Sequence, residues 1–184
     1  MSGIGGDRLT SEQSQAAGPA FTVRRIRTDE VDEAKALRLS ALAGAPDAFA
    51  EDYASSAGQP ASFWEERTRN GAESAGLATF VAVLGGRHVG TATGVCFDAG
   101  APAELVAMWV EPKARRHGAG RALVDRVCRW AAERGAASIE LDVRVGNRLA
   151  QRLYEAAGFV VARGPEPSPD DPSAIEVRMR RALG

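Results

Sequence analysis

The fold is decided by one stretch of the sequence, LVAMWVEPKARRHGAGR, which spans residues 105–121. It begins as an apolar run, breaks at Pro112 and passes through a basic turn with two glycines before an amphipathic segment starts. A strand that enters a helix through such a turn leaves backbone N–H groups free at the helix start. These groups suit a phosphate or pyrophosphate, and glycine lets ligand oxygens approach the backbone closely. Positive charge at the same point would come from Arg115, Arg116 and Arg121.

The glycine spacing of this turn distinguishes between known phosphate-binding loops. A Walker loop requires G-x-x-x-x-G-K-[ST], which the sequence lacks, and a dinucleotide fingerprint requires a third glycine where Leu123 stands. The pattern that fits is R-x-x-G-x-G, from Arg115 to Gly120. It resembles the pyrophosphate loop of the GNAT superfamily of acyl-CoA-dependent N-acyltransferases. An ordinary strand–turn–helix with a basic surface turn is the alternative interpretation of this segment alone.

A second motif lies nearer the C-terminus. Apolar residues alternate strictly over 138–145, which predicts a strand with one buried face. A short helix is predicted over 148–157, with Asn147 as its cap and Gly158 after its end. The sequence here is similar to the GNAT pattern N-x-x-A-x-x-x-Y-x-x-x-G-F, which is matched by Asn147, Ala150, Tyr154, Gly158 and Phe159.

The whole chain can be read as one domain of this kind. Hydrophobic alternation predicts seven strands, at 21–27, 78–84, 87–97, 103–110, 138–145, 159–163 and 174–180. The resemblance implies an α/β (α+β) fold, in which a mixed, mostly antiparallel seven-stranded sheet is flanked by helices and two central parallel strands splay apart. We expect a single N-acetyltransferase domain over 21–184. Residues 1–20 have the composition of a disordered leader, and 164–173 of a loop.

Composition excludes several other classes of function. The net charge is −1, and no basic stripe with interleaved aromatic residues is present, so nucleic acid is not an expected partner. No apolar run has membrane-spanning length, and the N-terminus does not resemble a signal peptide. Cys96 and Cys128 lack metal-ligand spacing, which indicates reduced cysteines, a cytoplasmic location and no bound metal.

The resemblance also implies where acetyl-CoA, the family's usual acyl donor, would bind. The pantetheine arm would lie between the splayed strands and pair with the backbone of 108–110, while amides of 116–121 hold the pyrophosphate. Asn147 would bond to the same arm. The expected donor-binding residues are Met108, Trp109, Val110, Arg115, Arg116, His117, Gly118, Ala119, Gly120, Arg121, Asn147 and Tyr154.

The expected reaction is direct attack of an amine on the thioester. Because a free alkylamine titrates near 10, a base or a water chain to a base is needed. Glu104 is the expected base, at the position where some family members carry a catalytic glutamate, and Tyr154 is the expected acid for the leaving sulfur. The backbone N–H near Val110 would stabilise the oxyanion. The alternative for Tyr154 is that it is a core tyrosine without a catalytic role. Glu140 and Asp142 alternate outward from the buried face of their strand, so they could be solvated surface charges.

Several properties remain open at this point. The aromatic segment 46–64 is either a wall of a substrate pocket or an anchor of the helices to the core. His88, beside the predicted Gly85-Gly86 turn, is expected to be solvated. The acceptor is an unidentified amine on a small molecule or a protein, and a homodimer rests on analogy alone. A non-catalytic acyl-CoA-binding module and an interaction protein built on 46–64 are alternative functions on the same fold.

Overall fold

The computed structural model of the chain describes residues 21–49, 51–98, 100–169 and 171–184, so the predicted leader at 1–20 lies outside the described residues. The strands are β1 (Phe21–Arg25), β2 (Leu77–Leu84), β3 (Arg87–Val95), β4 (Ala103–Val110), β5 (Ser138–Arg144), β6 (Val160–Pro167) and β7 (Ile175–Ala182). The helices are α1 (Val31–Gly44), α2 (Tyr53–Ala57), α3 (Ala61–Glu73), α4 (Ala119–Glu133) and α5 (Arg148–Ala156). Short 3₁₀ turns occupy Pro46–Ala48 and Pro112–Ala114.

The strands form one seven-stranded sheet in the order β1-β2-β3-β4-β5-β7-β6. Neighbouring strands are antiparallel except β4 and β5, which are parallel and joined through α4. This mixed, mostly antiparallel sheet confirms the predicted fold class. It also confirms the hairpin at Gly85-Gly86, where both glycines have positive φ, as a two-residue hairpin turn requires.

Helices cover both faces of the sheet. On one face, α4 buries an apolar stripe of Leu123, Val127 and Trp130. A side chain on Gly94 of β3 would meet Trp130 at 2.7 Å and Val127 at 2.9 Å, so the absence of a Cβ lets α4 approach the sheet. On the other face, α1 and α3 pack against β2 and β3. Among the described residues, we find no helix with the length and apolarity that a membrane span requires.

One segment predicted as a loop is a strand instead. Residues 164–167 were expected in a loop, but β6 continues through them to Pro167 and pairs with β7, with Pro167 opposite Ile175. β6 is an edge strand, where proline is tolerated. The N-cap of α1 is Glu30, whose carboxylate makes no cap hydrogen bond.

The Glu30 carboxylate forms a buried ion cluster at the start of α1. It accepts hydrogen bonds from both Nη atoms of Arg24 and from the Arg27 backbone N–H, the last at 2.9 Å. His88 Nε2 lies 3.3 Å from Glu30 Oε1, and the His88 side chain is only 3% exposed. The expectation of a solvated His88 is therefore wrong, because the β2–β3 hairpin places the ring against this carboxylate.

Candidate functional site

A cleft opens where β4 and β5 separate. The two strands pair only at Ala103 with Ile139 and at Glu104 with Glu140. Beyond these positions they diverge, as predicted for the 103–110 and 138–145 strands. The resulting cleft has a volume of about 510 Å³ and is lined by β4, β5, β7, α5 and the α1–α3 region. It therefore joins the two faces of the sheet through the gap between the parallel strands.

A β-bulge turns the backbone of β4 at the wall of this cleft. Ala107 and Met108 stand opposite the single residue Ala92, and Ala107 has a φ of 52°. Beyond the bulge, the Glu111 N–H donates to the Val89 carbonyl at 2.8 Å. Antiparallel pairs alternate in direction, so the N–H and C=O of Val110 point away from β3, towards the gap.

The basic turn leads directly from β4 into α4. Gly118 is the N-cap of α4 with a φ of 86°, and no side chain caps the helix among the described residues. Arg116 also has a positive φ, 66°. The first N–H groups of α4, from Ala119 to Arg121, consequently face outward without intrahelical partners. Free amides at a helix N-terminus, reached through a left-handed glycine, fit the pyrophosphate that the sequence predicts.

The arginines of this turn differ in whether they form hydrogen bonds within the fold. Arg115 Nε donates to the Val110 carbonyl at 2.8 Å, which ties the turn to the end of β4. Arg121 Nε donates to Asp125 at 2.7 Å, and its Nη1 donates to the Ala156 carbonyl, which ties α4 to α5. Arg116 and His117 are exposed. Arg116 is the arginine of the turn whose guanidinium makes neither a hydrogen bond nor an ion pair with the described residues.

Gly120 has a packing role that the sequence did not indicate. A Cβ at this position would lie 3.3 Å from Leu153 Cδ2 and 3.4 Å from Met108 Cε. The predicted donor-binding residue Met108 thus sets its side chain against α4 and α5. The side chain of Trp109, another predicted donor-binding residue, is buried with Ile26 and Leu37 on the opposite face, so only its backbone can reach the cleft.

Helix α5 brings Asn147 and Tyr154 to the cleft. Asn147 Oδ1 accepts from the Ala150 N–H at 3.2 Å, which confirms the predicted cap. Tyr154 lines the cleft from a position where its ring is 6% exposed and packs 5.8 Å from the Phe159 ring. Burial raises the pKa of Tyr154 well above its ordinary value, so the phenol keeps its proton at neutral pH.

Carboxylates line the base of the cleft. Glu104 and Glu140 are opposite each other on β4 and β5, and Asp142 follows two residues later. Arg178 of β7 holds Asp142 by two hydrogen bonds, at 2.6 and 3.0 Å, and approaches Glu140 at 3.4 Å. Among the described residues Glu104 has no ion-pair partner. Glu104, like Glu176 of β7, therefore has carboxylate oxygens left for another molecule.

An ion cluster at the opposite end of the cleft was missed by sequence reasoning. Glu51 lies between Arg38 of α1, at 3.0 Å, and Arg67 of α3, at 3.3 Å. The Arg38 guanidinium also stacks on Phe49, 4.4 Å from the ring centre. All four residues line the cleft. The available signal was Arg38 itself, a charged residue that shares helical spacing with the apolar Leu37, Ala41 and Leu42.

Within the aromatic segment 46–64, one residue anchors a helix to the core and another lines the cleft. Trp64 is 2% exposed and anchors α3, whereas Phe49 lines the cleft. Tyr53 is exposed. Cys128 is buried and free, and burial raises the pKa of its thiol to about 11. A thiol of this kind is a poor nucleophile, in agreement with the expected apolar role.

Comparison with known proteins was consistent with this geometry. A segment of 57 residues is 40% identical to the [Ribosomal protein bS18]-alanine N-acetyltransferase of Escherichia coli. This segment covers 31% of the chain and only 38% of that relative. The solved structure of the E. coli S18-alanine N-acetyltransferase superposes with a TM-score of 0.63 at 21% identity, over 90% of this chain and 95% of that one.

Other solved structures share the fold over nearly all of the described residues. A GNAT-family acetyltransferase from Streptococcus pneumoniae has a TM-score of 0.74 at 17% identity, covering 90% of this chain and all of that one. A putative acetyltransferase from Salmonella typhimurium, solved with acetyl-CoA, has a TM-score of 0.69 at 18% identity, covering 90% and 95%. The profile of the Acetyltransferase (GNAT) family matches residues 45–159, more than half of the sequence. The chain therefore belongs to the GNAT acetyltransferase family.

Proposed function

We propose that this chain transfers an acetyl group from acetyl-CoA to a primary amine, by direct attack within a ternary complex. The observation that carries the proposal is that a turn with free amides adjoins the cleft, since a Cβ on Gly120 would lie 3.4 Å from Met108, which lines the cleft. The start of α4 offers N–H groups without intrahelical partners, the Val110 N–H points away from β3, and the buried Tyr154 phenol lines the cleft. These groups suit a ligand with a pyrophosphate at one end and a thioester at the other.

The donor would be held mainly by backbone groups. N–H groups of 116–121 would bind its pyrophosphate, and the exposed Arg116 and His117 would add charge or hydrogen bonds there. Arg115 and Arg121 would act by fixing the turn through Val110 and Ala156. The backbone of 108–110 and the Asn147 side chain would bind the pantetheine arm. When bound, acetyl-CoA supplies the thioester carbonyl that the amine attacks.

Two proton transfers would then be carried out by residues of the chain. Glu104, directly or through water, takes a proton from the attacking nitrogen as the new N–C bond forms. The Val110 N–H stabilises the oxyanion. As the C–S bond breaks, Tyr154 donates its proton to the sulfur; burial, which raises the pKa of Tyr154, keeps that proton available. Transfer of the proton from Glu104 to the Tyr154 phenolate through solvent then returns both groups to their starting states.

The acceptor is proposed only as an amine on a small molecule or protein. The E. coli relative is named for acetylating an alanine of ribosomal protein S18, but the match covers too little of that relative to transfer its acceptor. An interaction protein built on 46–64 is disfavoured, because Trp64 is buried in the fold and presents no surface for a partner. A binding module without turnover would share the donor site but show no thiol release.

Thermal unfolding with and without acetyl-CoA tests the donor site. A ligand that binds only the folded protein at about 100 times its Kd adds roughly 2.7 kcal/mol of stability. We expect a clear rise in Tm with acetyl-CoA, followed by thiol release when amines are added. No shift with acetyl-CoA would refute the donor site; a shift without thiol release for any amine would favour the binding module.

A further inference from the structure

The cleft has opposite charges at its two ends. At the α1–α3 end, two guanidiniums, Arg38 and Arg67, share the single carboxylate of Glu51. At the β4–β5–β7 end, the lining carboxylates are Glu104, Glu140, Asp142 and Glu176. The lining guanidinium of Arg178 pairs with Glu140 and Asp142, so the other two carboxylates have no ion-pair partner among the described residues. Arg144 and Asp171, which also line the cleft, form an ion pair at 3.0 Å, so their charges cancel. A ligand that matches both ends carries a positive and a negative group.

At the α1–α3 end, the guanidinium of Arg38 also lacks hydrogen-bond acceptors. Arg38 is 9% exposed, and its Nη1 is buried with no hydrogen-bond partner among the described residues. Burial lowers the pKa of Arg38, although from a value high enough to leave it charged. A buried guanidinium without its full set of acceptors is costly, so an additional anion here would be stabilising.

The contacts of Glu51 show that these guanidiniums bind a carboxylate. Burial opposes its ionisation, but Arg67 and Arg38 outweigh that effect and hold the pKa of Glu51 below its ordinary value. The two arginines thus already bind one carboxylate, supplied by the segment between the 3₁₀ turn at Pro46–Ala48 and α2. Planar guanidiniums match carboxylate geometry, and Arg67 is half-exposed, so it has donors left for a second carboxylate.

We propose that the acceptor carries a carboxylate as well as its amine, and that Arg67, with Arg38 behind it, binds this carboxylate while the amine faces Glu104. Free amino acids and peptides with an acidic group near the N-terminus belong to this class. The proposal rests on the proposed function, since it assigns the acceptor end of the same cleft. It goes beyond that function by specifying the charge of the acceptor.

The test compares each acid with the amide in which its carboxylates are uncharged. Acetyl transfer is measured for the twenty amino acids and for aspartyl and glutamyl dipeptides, each against the matching form with its carboxylates amidated. Binding of the N-acetylated products to the CoA-bound protein is measured by calorimetry for the same pairs. We expect the acid to exceed the amide in kcat/KM and in affinity by about tenfold or more for the best pair, the factor of a charge-assisted hydrogen bond.

Variants test whether Arg67 is responsible for the preference for the acid over the amide. Arg67→Gln should bring the acid-to-amide ratio close to one, and Arg67→Lys should restore part of it. Arg69→Gln is the matched control, because Arg69 lies on the same helix, is exposed and is engaged in no described ion pair. It should keep the wild-type ratio. All three variants should bind acetyl-CoA with unchanged affinity, which separates acceptor recognition from the donor site.

Each outcome decides the question. A ratio near one in the wild type, a preference for amides, or a preference that survives in Arg67→Gln would overturn the proposal. So would a lack of binding and transfer for every acid of the panel while acetyl-CoA still raises Tm; thiol release with other amines would then leave the proposed acetyltransfer in place. Failure of acetyl-CoA to bind would instead remove the proposed function and this inference together.

Discussion

Glu104 and Glu140 are opposite each other on the parallel strands β4 and β5, at the last pair before the strands separate. Their environments differ. Glu140 lies near Arg178, at 3.4 Å, and Arg180, at 3.7 Å, whereas Glu104 has no such partner among the described residues. Two carboxylates at equivalent positions are therefore unequal: one is neutralised by arginine and the other is free to accept a proton.

Replacing Glu104 should consequently impair the chemical step. Glu104→Gln keeps the size of the side chain but removes the base, and we expect kcat/KM for the best amine to fall about a hundredfold or more at neutral pH. The loss should shrink at higher pH, where more of the amine is already neutral. Glu133→Gln, at an exposed site on α4, is the control for the charge change. Equal activity of Glu104→Gln and wild type would exclude Glu104 as the base.

Replacing Tyr154 should separate turnover from donor binding. Tyr154→Phe removes the proton donor but retains the ring that packs on Phe159, so kcat should fall at least tenfold while acetyl-CoA affinity stays nearly constant. Because burial raises the pKa of Tyr154, wild-type kcat should show no decline from loss of this proton up to pH 9. Tyr53→Phe is a matched control, since Tyr53 is the only other tyrosine and is exposed. Unchanged kcat in Tyr154→Phe would remove the phenol from the mechanism.

The sequence predicted most of the path that the donor would follow. Hydrophobic alternation located β4 and β5, and the Arg115–Gly120 and Asn147–Phe159 motifs located the turn and α5, because their constraints are local. The bulge at Ala107 was not predictable: its left-handed φ is imposed by a pairing with β3, not by the alanine itself. The same holds for β6, where pairing with β7 overrides the loop composition of 164–167.

The α1–α3 end of the cleft could not be predicted at all. Arg38, Glu51 and Arg67 come from three separate segments, and only the packing of α1 and α3 on the sheet brings the two guanidiniums to within 3.3 Å of Glu51. The environment of His88 was predicted wrongly for a related reason. A histidine beside a hairpin turn is usually solvated, but here the hairpin lies over the start of α1 and covers the ring.

Gly118 and Gly100 allow backbone strain to be separated from ligand binding. Both have a φ of 86°, and neither has a neighbour that would clash with a Cβ; the nearest atom to Gly118 is Phe21 Cζ at 3.9 Å. Alanine at either position should lower the free energy of unfolding by about 1 kcal/mol, because an L residue disfavours this conformation. Only Gly118→Ala should also weaken acetyl-CoA binding, measured by calorimetry. Equal affinity in the two variants would contradict the assignment of the turn to the pyrophosphate.

The ion cluster at Glu30 predicts how stability depends on pH. Hydrogen bonds from Arg24 lower the pKa of Glu30 to about 2, against an unperturbed value of 4.5. Since the folded state releases this proton more readily than the unfolded state, the stabilisation is complete above pH 4.5. It is lost as the pH falls from 4.5 towards 2, and it amounts to about 3 kcal/mol.

Glu30→Gln should remove this dependence. We expect the variant to be less stable than wild type by about 2 kcal/mol at pH 7, since it leaves Arg24 and the Arg27 N–H with a weaker acceptor. The difference should diminish below pH 4.5, as measured by urea unfolding over pH 2.5–7. Glu33→Gln, an exposed position on α1, should follow the wild-type curve. If the difference between Glu30→Gln and wild type were constant across this range, the ionised Glu30 would not be its source.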